Sequence, residues 1–168
     1  VVAAKHAYKV NSRLSDVELA SFPCSYSTAE NMLSRANVSS QDTVLISGAS
    51  GGVGSAAIQL AKARGAYVIA ITSPSKNKQL LALGADRVIS RDADLIAAFG
   101  ENSIDVVLDL VAGHQWTQYL QLLPPASRPA GPGATRGTLV HLDIRTPYSH
   151  HLTLLHSPPP PPPTHPPP

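Results

Sequence analysis

Asp42-Thr-Val-Leu-Ile-Ser-Gly-Ala-Ser-Gly-Gly-Val-Gly54 decides how the chain is read. Thr43 to Ser47 is an apolar run without alternation, the pattern of a strand buried on both faces of a parallel sheet. The glycines at 48, 51, 52 and 54 then call for a tight turn. Behind them Val53, Ala57, Leu60 and Ala61 recur at three- and four-residue spacing, which predicts a helix stopped near Gly65. Strand, glycine turn and helix in succession make an anion site, because the first helical turn presents unpaired N–H groups and the positive end of its dipole. The dipole contributes at most about 2 kcal/mol, so N–H bonds to a bound pyrophosphate must carry most of the affinity.

Downstream the alternation repeats. Tyr67 to Ile71 reads as a strand, Ser73-Pro74 opens a helix with Pro at its first position, and Gly84 ends it. Arg87 to Ser90 is a third strand, a brief helix from Ala93 to Phe99 stops at Gly100, and Ile104 to Leu110 is a fourth strand. Gly113 leads into a helix carrying Trp116, Tyr119 and Leu120. Upstream, Ser15-Asp-Val-Glu18 and Ser27-Thr-Ala-Glu30 have the spacing of capping boxes and predict the starts of two short helices. Four alternations with short connections specify α/β architecture: a Rossmann-type doubly wound parallel sheet with right-handed crossovers.

Composition bounds the rest. The 168 residues suit one domain, and all of the 16 prolines except Pro23 and Pro74 fall after Leu123. The expected organisation is a Rossmann domain over 15–123, preceded by a remnant of another lobe at 1–14 and followed by a Pro-rich, disordered tail at 124–168, because Pro and Gly deny both helix and strand. Thirteen Lys+Arg against 11 Asp+Glu, without clusters, point to neither nucleic acid nor an anionic membrane as partner. No apolar run approaches the roughly 18 residues of a membrane span, and no leader pattern opens the sequence, so a cytoplasmic location is expected. One Cys forms no internal disulfide, which a reducing compartment accommodates. The sequence begins at Val1 and its one Met is Met32, so a piece of a longer product is expected.

In the G-x-G-x-x-G pattern the second glycine permits close approach of a pyrophosphate and the third lets helix and strand pack; Gly51 and Gly54 fill those places. Ala49 stands in the first place, which is tolerable at negative φ if Gly48 takes up the tight-turn geometry. A carboxylate about twenty residues on would bind the ribose hydroxyls of NAD. The second strand instead ends in Thr72-Ser-Pro-Ser-Lys76, whose hydroxyls and ammonium suit a 2′-phosphate, so NADP(H) is favoured over NAD(H). The expected cofactor contacts are Ala49, Ser50, Gly51, Gly52, Val53 and Gly54 in the loop, and Thr72, Ser73 and Lys76 after the second strand.

The glycines at 48, 52 and 54 also match the G-x-x-x-G-x-G spacing of short-chain dehydrogenases. That family begins with its glycine strand, whereas over forty residues precede this one, and no Tyr here has Lys four positions on. The sequence instead resembles the medium-chain dehydrogenase/reductase family, in its zinc-type alcohol dehydrogenase and quinone oxidoreductase branches. The resemblance rests on Phe22-Pro-Cys-Ser-Tyr-Ser-Thr28, on the glycine stretch, on Ala56-Ala-Ile-Gln-Leu-Ala-Lys62, on Leu83-Gly-Ala-Asp-Arg-Val-Ile89 and on Asp105-Val-Val-Leu-Asp-Leu-Val-Ala-Gly113. It implies an oxidoreductase that passes hydride between nicotinamide and a carbonyl, quinone or enone substrate. By the same resemblance Thr28 lies against the nicotinamide, Leu110 and Val111 border the cofactor, and residues 1–11 end a catalytic lobe that is mostly missing. Cys24 matches a zinc ligand, but further ligands would have to come from that lobe, and a small packed core residue or an empty ligand position is the simpler reading. Asp109 is read as organising its turn. No residue stands out as a general acid.

From Pro124 to Gly137 a Pro-rich stretch stands where the family has a Gly-rich turn and a buried strand, while the family pattern returns faintly at Leu139-Val-His-Leu-Asp-Ile-Arg-Thr146. A local reading-frame or splicing error, or a decaying gene, is the expected origin of both, and loss of the strand would expose a sheet edge and weaken a homodimer. The terminal proline run reads as low-complexity disorder in preference to an SH3- or WW-type ligand. Five of the seven histidines lie in this tail at irregular spacing, which suits adventitious metal binding better than a built site. The rival to an enzyme is a non-catalytic or degenerate nucleotide-binding fragment whose proline tail binds partners.

Overall fold

The computed structural model describes residues 9–112 and 115–130. Four parallel strands, β1 (Thr43–Ile46), β2 (Tyr67–Thr72), β3 (Arg87–Ser90) and β4 (Val106–Leu108), form one sheet in the order β3-β2-β1-β4. Among the described residues five α-helices accompany them: α1 (Asp16–Arg35), α2 (Gly52–Ala63), α3 (Asn77–Ala82), α4 (Leu95–Phe99) and α5 (Trp116–Leu122). The lack of alternation in the strands is explained by helices on both faces. Val44 and Ile46 of β1, Val68 and Ala70 of β2, and Val106 and Leu108 of β4 turn to one face, where Ala29, Met32 and Leu33 of α1, Ala57 and Ala61 of α2 and Leu80 of α3 close the core. Leu45, Ile69, Ile71, Ile89 and Val107 turn to the other, under Leu95, Trp116, Tyr119, Leu120 and Leu122. This is the doubly wound parallel sheet expected from the sequence.

Four local expectations are corrected. The two capping boxes do not start two short helices: Ser15 caps α1 reciprocally with Glu18, but Ser27 lies inside the same twenty-residue helix and gives its hydroxyl to the Pro23 carbonyl. Pro23 removes a helical N–H, yet the helix continues, because Ala29, Met32 and Leu33 dock its C-terminal half on α2. Pro74–Lys76 forms a 3₁₀ turn, and α3 begins only at Asn77. The fourth strand is shorter than Ile104 to Leu110, since the Ile104 N–H is drawn to Leu122 O at 3.0 Å and Leu110 already belongs to a turn. Similarly, the fourth helix starts at Leu95, where the Asp94 carboxylate accepts the Ile96 and Ala97 N–H groups.

Past Leu123 the backbone stays on the body. The N–H groups of Arg128 and Ala130 donate to Asp105 O at 3.3 Å and Val107 O at 2.8 Å, and Asp109 N–H donates to Ala130 O at 3.0 Å. Pro129 sits between the two donors, at the position whose N–H would face away from β4, so this short parallel edge accepts a Pro that a central strand would refuse. A buried Ala130 completes the bridge to Leu108. The readings for residues 1–8, Gly113, the Leu139–Thr146 echo, the tail histidines and the terminal proline run lie outside the described residues. Among the described residues, no helix is long and apolar enough to cross a membrane.

Candidate functional site

The chain leaves β1, winds to β2 and β3 on one side, and crosses to β4 on the other. The carboxyl ends of β1 and β4 therefore flank the point where strand order reverses, the place at which open α/β sheets bind ligands. The glycine loop lies there. Gly48 takes φ +59, a left-handed conformation, and Ala49 is fully buried and is not among the positive-φ residues, as the substituted fingerprint requires. A Cβ on Gly54 would stand 2.5 Å from Gly48 O and 2.6 Å from Ala49 Cα, so α2 approaches the loop closely only because position 54 is bare. A Cβ on Gly51 would meet only Gly48 O, at 3.4 Å.

The loop's donors divide into used and available ones. Ala49 N–H bonds Ile71 O and Gly51 N–H bonds Gly48 O, so these two shape the loop. Gly52, Val53 and Gly54 begin α2 and have no preceding turn to accept their N–H groups. The N-cap Gly51 offers no side-chain cap, and no acidic residue stands in the first turn, which leaves the positive end of the helix open to an anion.

Two cavities meet at Gly48 and Val111. The first, about 310 Å³, brings together Thr28, Gly51, Gly52, Val53, Gly54, Leu110 and Val111, all expected from the sequence. Thr28 reaches it because α1 packs across α2. The second, about 160 Å³, collects Ser50, Thr72, Ser73, Lys76 and Val111 beyond the end of β2. Lys76 Nζ stands 3.5 Å from Ser50 Oγ, so the ammonium faces back toward the loop, and no carboxylate lines this cavity. Ala49 lines neither cavity.

Sequence reasoning missed Arg91, Gln115 and Tyr119, which wall the second cavity. Arg91 follows β3 and the other two belong to the α5 region, so only the packing brings them beside Lys76. Asp109 is fully buried and takes the Val111 and Ala112 N–H groups on Oδ1, which makes it the organiser of that turn. Cys24 is not the packed core residue expected: it is exposed on α1, one helical turn before Thr28. Among the described residues no group of three or more His, Cys, Asp or Glu could hold a metal ion, so this donor set does not make a zinc site of its own.

The family model for zinc-binding dehydrogenases matches residues 52–158. Acryloyl-coenzyme A reductase of Metallosphaera sedula is 38% identical over 115 residues, covering 68% of this chain and 34% of that protein. Among solved structures, a candidate alcohol dehydrogenase of Sinorhizobium meliloti is 45% identical with a TM-score of 0.86, over 93% of this chain and 45% of the other. The quinone oxidoreductase of Thermus thermophilus, solved also with NADPH, is 30% identical with a TM-score of 0.74, over 88% of this chain and 48% of its own. The chain thus spans between about a third and a half of the length of these three proteins. A doubly wound sheet, a glycine loop at its switch point and these matches lead to one assignment: the chain belongs to the zinc-binding dehydrogenase family, within the medium-chain dehydrogenase/reductases.

Proposed function

We propose that this chain forms the cofactor half of an NADP(H)-dependent oxidoreductase acting on a small carbonyl, quinone or enone substrate. When bound, the nicotinamide supplies the hydride chemistry. The chain's own residues hold and orient it. The Gly52, Val53 and Gly54 N–H groups receive the pyrophosphate, with Gly51 bare so that it can come close. Thr28, Leu110 and Val111 form the wall against which the nicotinamide end would rest. Thr72 and Ser73, with Ser50 and Lys76, face the adenosine ribose.

The observation that carries the reading is the second cavity: it opens where an acidic residue would mark NAD, and it presents Ser73 and Lys76 with no carboxylate. A 2′-phosphate finds opposite charge and hydroxyl donors there, whereas bare ribose hydroxyls find no acceptor of comparable strength. Titration of the chain with NADPH and with NADH, followed by nicotinamide fluorescence, tests this. Tighter binding of NADPH is expected, and equal affinity overturns the preference.

A further inference from the structure

We propose that Arg64 and Glu30 are a positioning pair for the nicotinamide end of the cofactor: they tie α1 to α2 and thereby set the place of Thr28. This rests on the cofactor reading above, though not on its preference for a 2′-phosphate. Thr28 lines the cavity of about 310 Å³, whereas Arg64 and Glu30 line neither cavity. The place of Thr28 depends on the C-terminal half of α1. From Asp16 to Cys24 the helix is exposed except for the half-buried Leu19, while Ala29, Met32 and Leu33 are buried. Apolar burial is non-directional, so the register of one helix on the other has to come from specific contacts.

Such contacts stand on both sides of Thr28. On one side Ser25 Oγ lies 2.6 Å from the place that a Cβ on Gly52 would take, so α1 rests directly on the first turn of α2. On the other, the Glu30 carboxylate accepts from Arg64 Nη2 and from Ser34 Oγ at 2.7 Å, and Arg64 Nη2 also donates to Ser34 Oγ at 3.1 Å. Gln59 Nε2 adds a neutral bond to Tyr26 OH at 3.1 Å, weaker in kind than the charged one. A stop and a tie thus bracket Thr28.

Arg64 has given up water to make the tie. Its side chain is 23% exposed, and Nη1 is buried without a hydrogen-bond partner. The Ser34 hydrogen bond and the Arg64 charge hold the Glu30 carboxyl below its ordinary range against the opposing effect of burial, so the pair is ionised at neutral pH. Glu30 is half exposed, and a pair of this kind adds little to stability. Its effect lies in register, because a displacement of about 1 Å at a positioned group is enough to spoil a reacting geometry.

The test titrates the full chain and its Arg64→Met, Arg64→Lys and Glu30→Gln variants with two ligands, each variant checked by its thermal melt. NADPH is followed by nicotinamide emission, and 2′,5′-ADP, which has the adenosine half and lacks the nicotinamide, by calorimetry. Arg64→Met should weaken NADPH roughly 3- to 10-fold and lower the emission of the bound nicotinamide, while 2′,5′-ADP binds as it does to the native chain. Glu30→Gln, which keeps the size of the side chain, should do the same. Arg64→Lys keeps the charge without the planar fork and should recover part of the loss. Native binding of NADPH by Arg64→Met and Glu30→Gln, or an equal loss of both ligands, overturns the positioning role while the cofactor reading stands. A native chain that binds neither ligand overturns that reading and this proposal together. Equal native affinity for NADPH and NADH removes only the phosphate preference, and NADH against ADP-ribose then decides the positioning role by the same criterion.

Discussion

Ser47 donates its hydroxyl to Asp109 Oδ1 and accepts the Leu110 N–H at 2.9 Å, so a single buried side chain joins the carboxyl end of β1 to the turn that follows β4. The same carboxylate oxygen accepts Val111 and Ala112 N–H at 3.0 and 3.1 Å, and Ala112 is held at φ +62, a conformation that an Ala rarely adopts. Val111 belongs to both cavities, so its position is the geometry of the cleft. Asp109 Oδ2 is buried without a hydrogen-bond partner, so Oδ1 carries the hydrogen bonds of this carboxylate.

Asp109→Ala should therefore reduce stability by about 2–4 kcal/mol, since three donors lose their acceptor in the core, and should weaken NADPH and NADH alike. Ser47→Ala removes one donor and one acceptor, and the expected loss is about 1–3 kcal/mol. Urea unfolding gives the first quantity and cofactor titration the second. Native stability in Asp109→Ala would show that the turn is held by something else.

The two fingerprint glycines should fail in different ways. Gly54→Ala forces a methyl into the backbone of Gly48 and Ala49, with approaches of 2.5 to 2.8 Å, and neither neighbour is a flexible side-chain end. A cost of about 1–3 kcal/mol in unfolding free energy is expected. Gly51→Ala places its methyl in ordinary contact with Gly48 O and otherwise toward the cleft, so the fold should survive while cofactor binding falls. Equal stability of the two variants, measured by denaturation, would contradict the division.

Much of the fold was legible because it rests on local signals. The run at Arg87–Ser90, the glycine stops at 65 and 84 and the reciprocal Ser15–Glu18 cap appear where the residue pattern places them. The failures are tertiary. Ser27-x-x-Glu30 has a cap's spacing, but the burial of Ala29, Met32 and Leu33 outweighs the local preference and carries the helix past Pro23. The docking of 128–130 was hidden because proline content alone does not say which way each missing N–H would face. Among the site residues, the loop and Ser73 to Lys76 follow a known offset, whereas Arg91, Gln115 and Tyr119 arrive from elements with no motif of their own.

Arg128 fixes that docked segment. Its guanidinium pairs with Asp42 and donates to Asn37 O at 3.0 Å, and the other Asp42 oxygen takes the Ser39 N–H at 2.7 Å. Asp42 is nearly buried, so Arg128→Met leaves a desolvated carboxylate oxygen unpaired, and a loss of about 1–3 kcal/mol is expected. The double variant Asp42→Asn/Arg128→Met should lose less than the sum of the single changes, because each single change removes the same pair. Strict additivity in chemical denaturation would mean that the two side chains act separately.

Asp86 gives the fold a pH dependence of known sign. Burial opposes ionisation of its carboxyl, but hydrogen bonds from Lys62, at 2.8 and 3.0 Å, and from Val68 N–H, at 2.7 Å, outweigh it and hold the pKa below the ordinary carboxylate value. A pKa lowered by folding contributes stability that is full above the unfolded value of about 3.9 and is lost as pH falls through the folded one. The pair ties α2 to the loop before β3, and Asp86→Asn should cost about 1 kcal/mol at pH 7. Glu18 and Glu30 are also lowered and titrate in the same acidic range, so native stability alone does not isolate the contribution of Asp86. The difference between native chain and variant does: in urea titrations from pH 7 to pH 3 the gap should hold down to about pH 4 and then narrow, whereas a gap constant over that range would assign the loss to packing and not to charge.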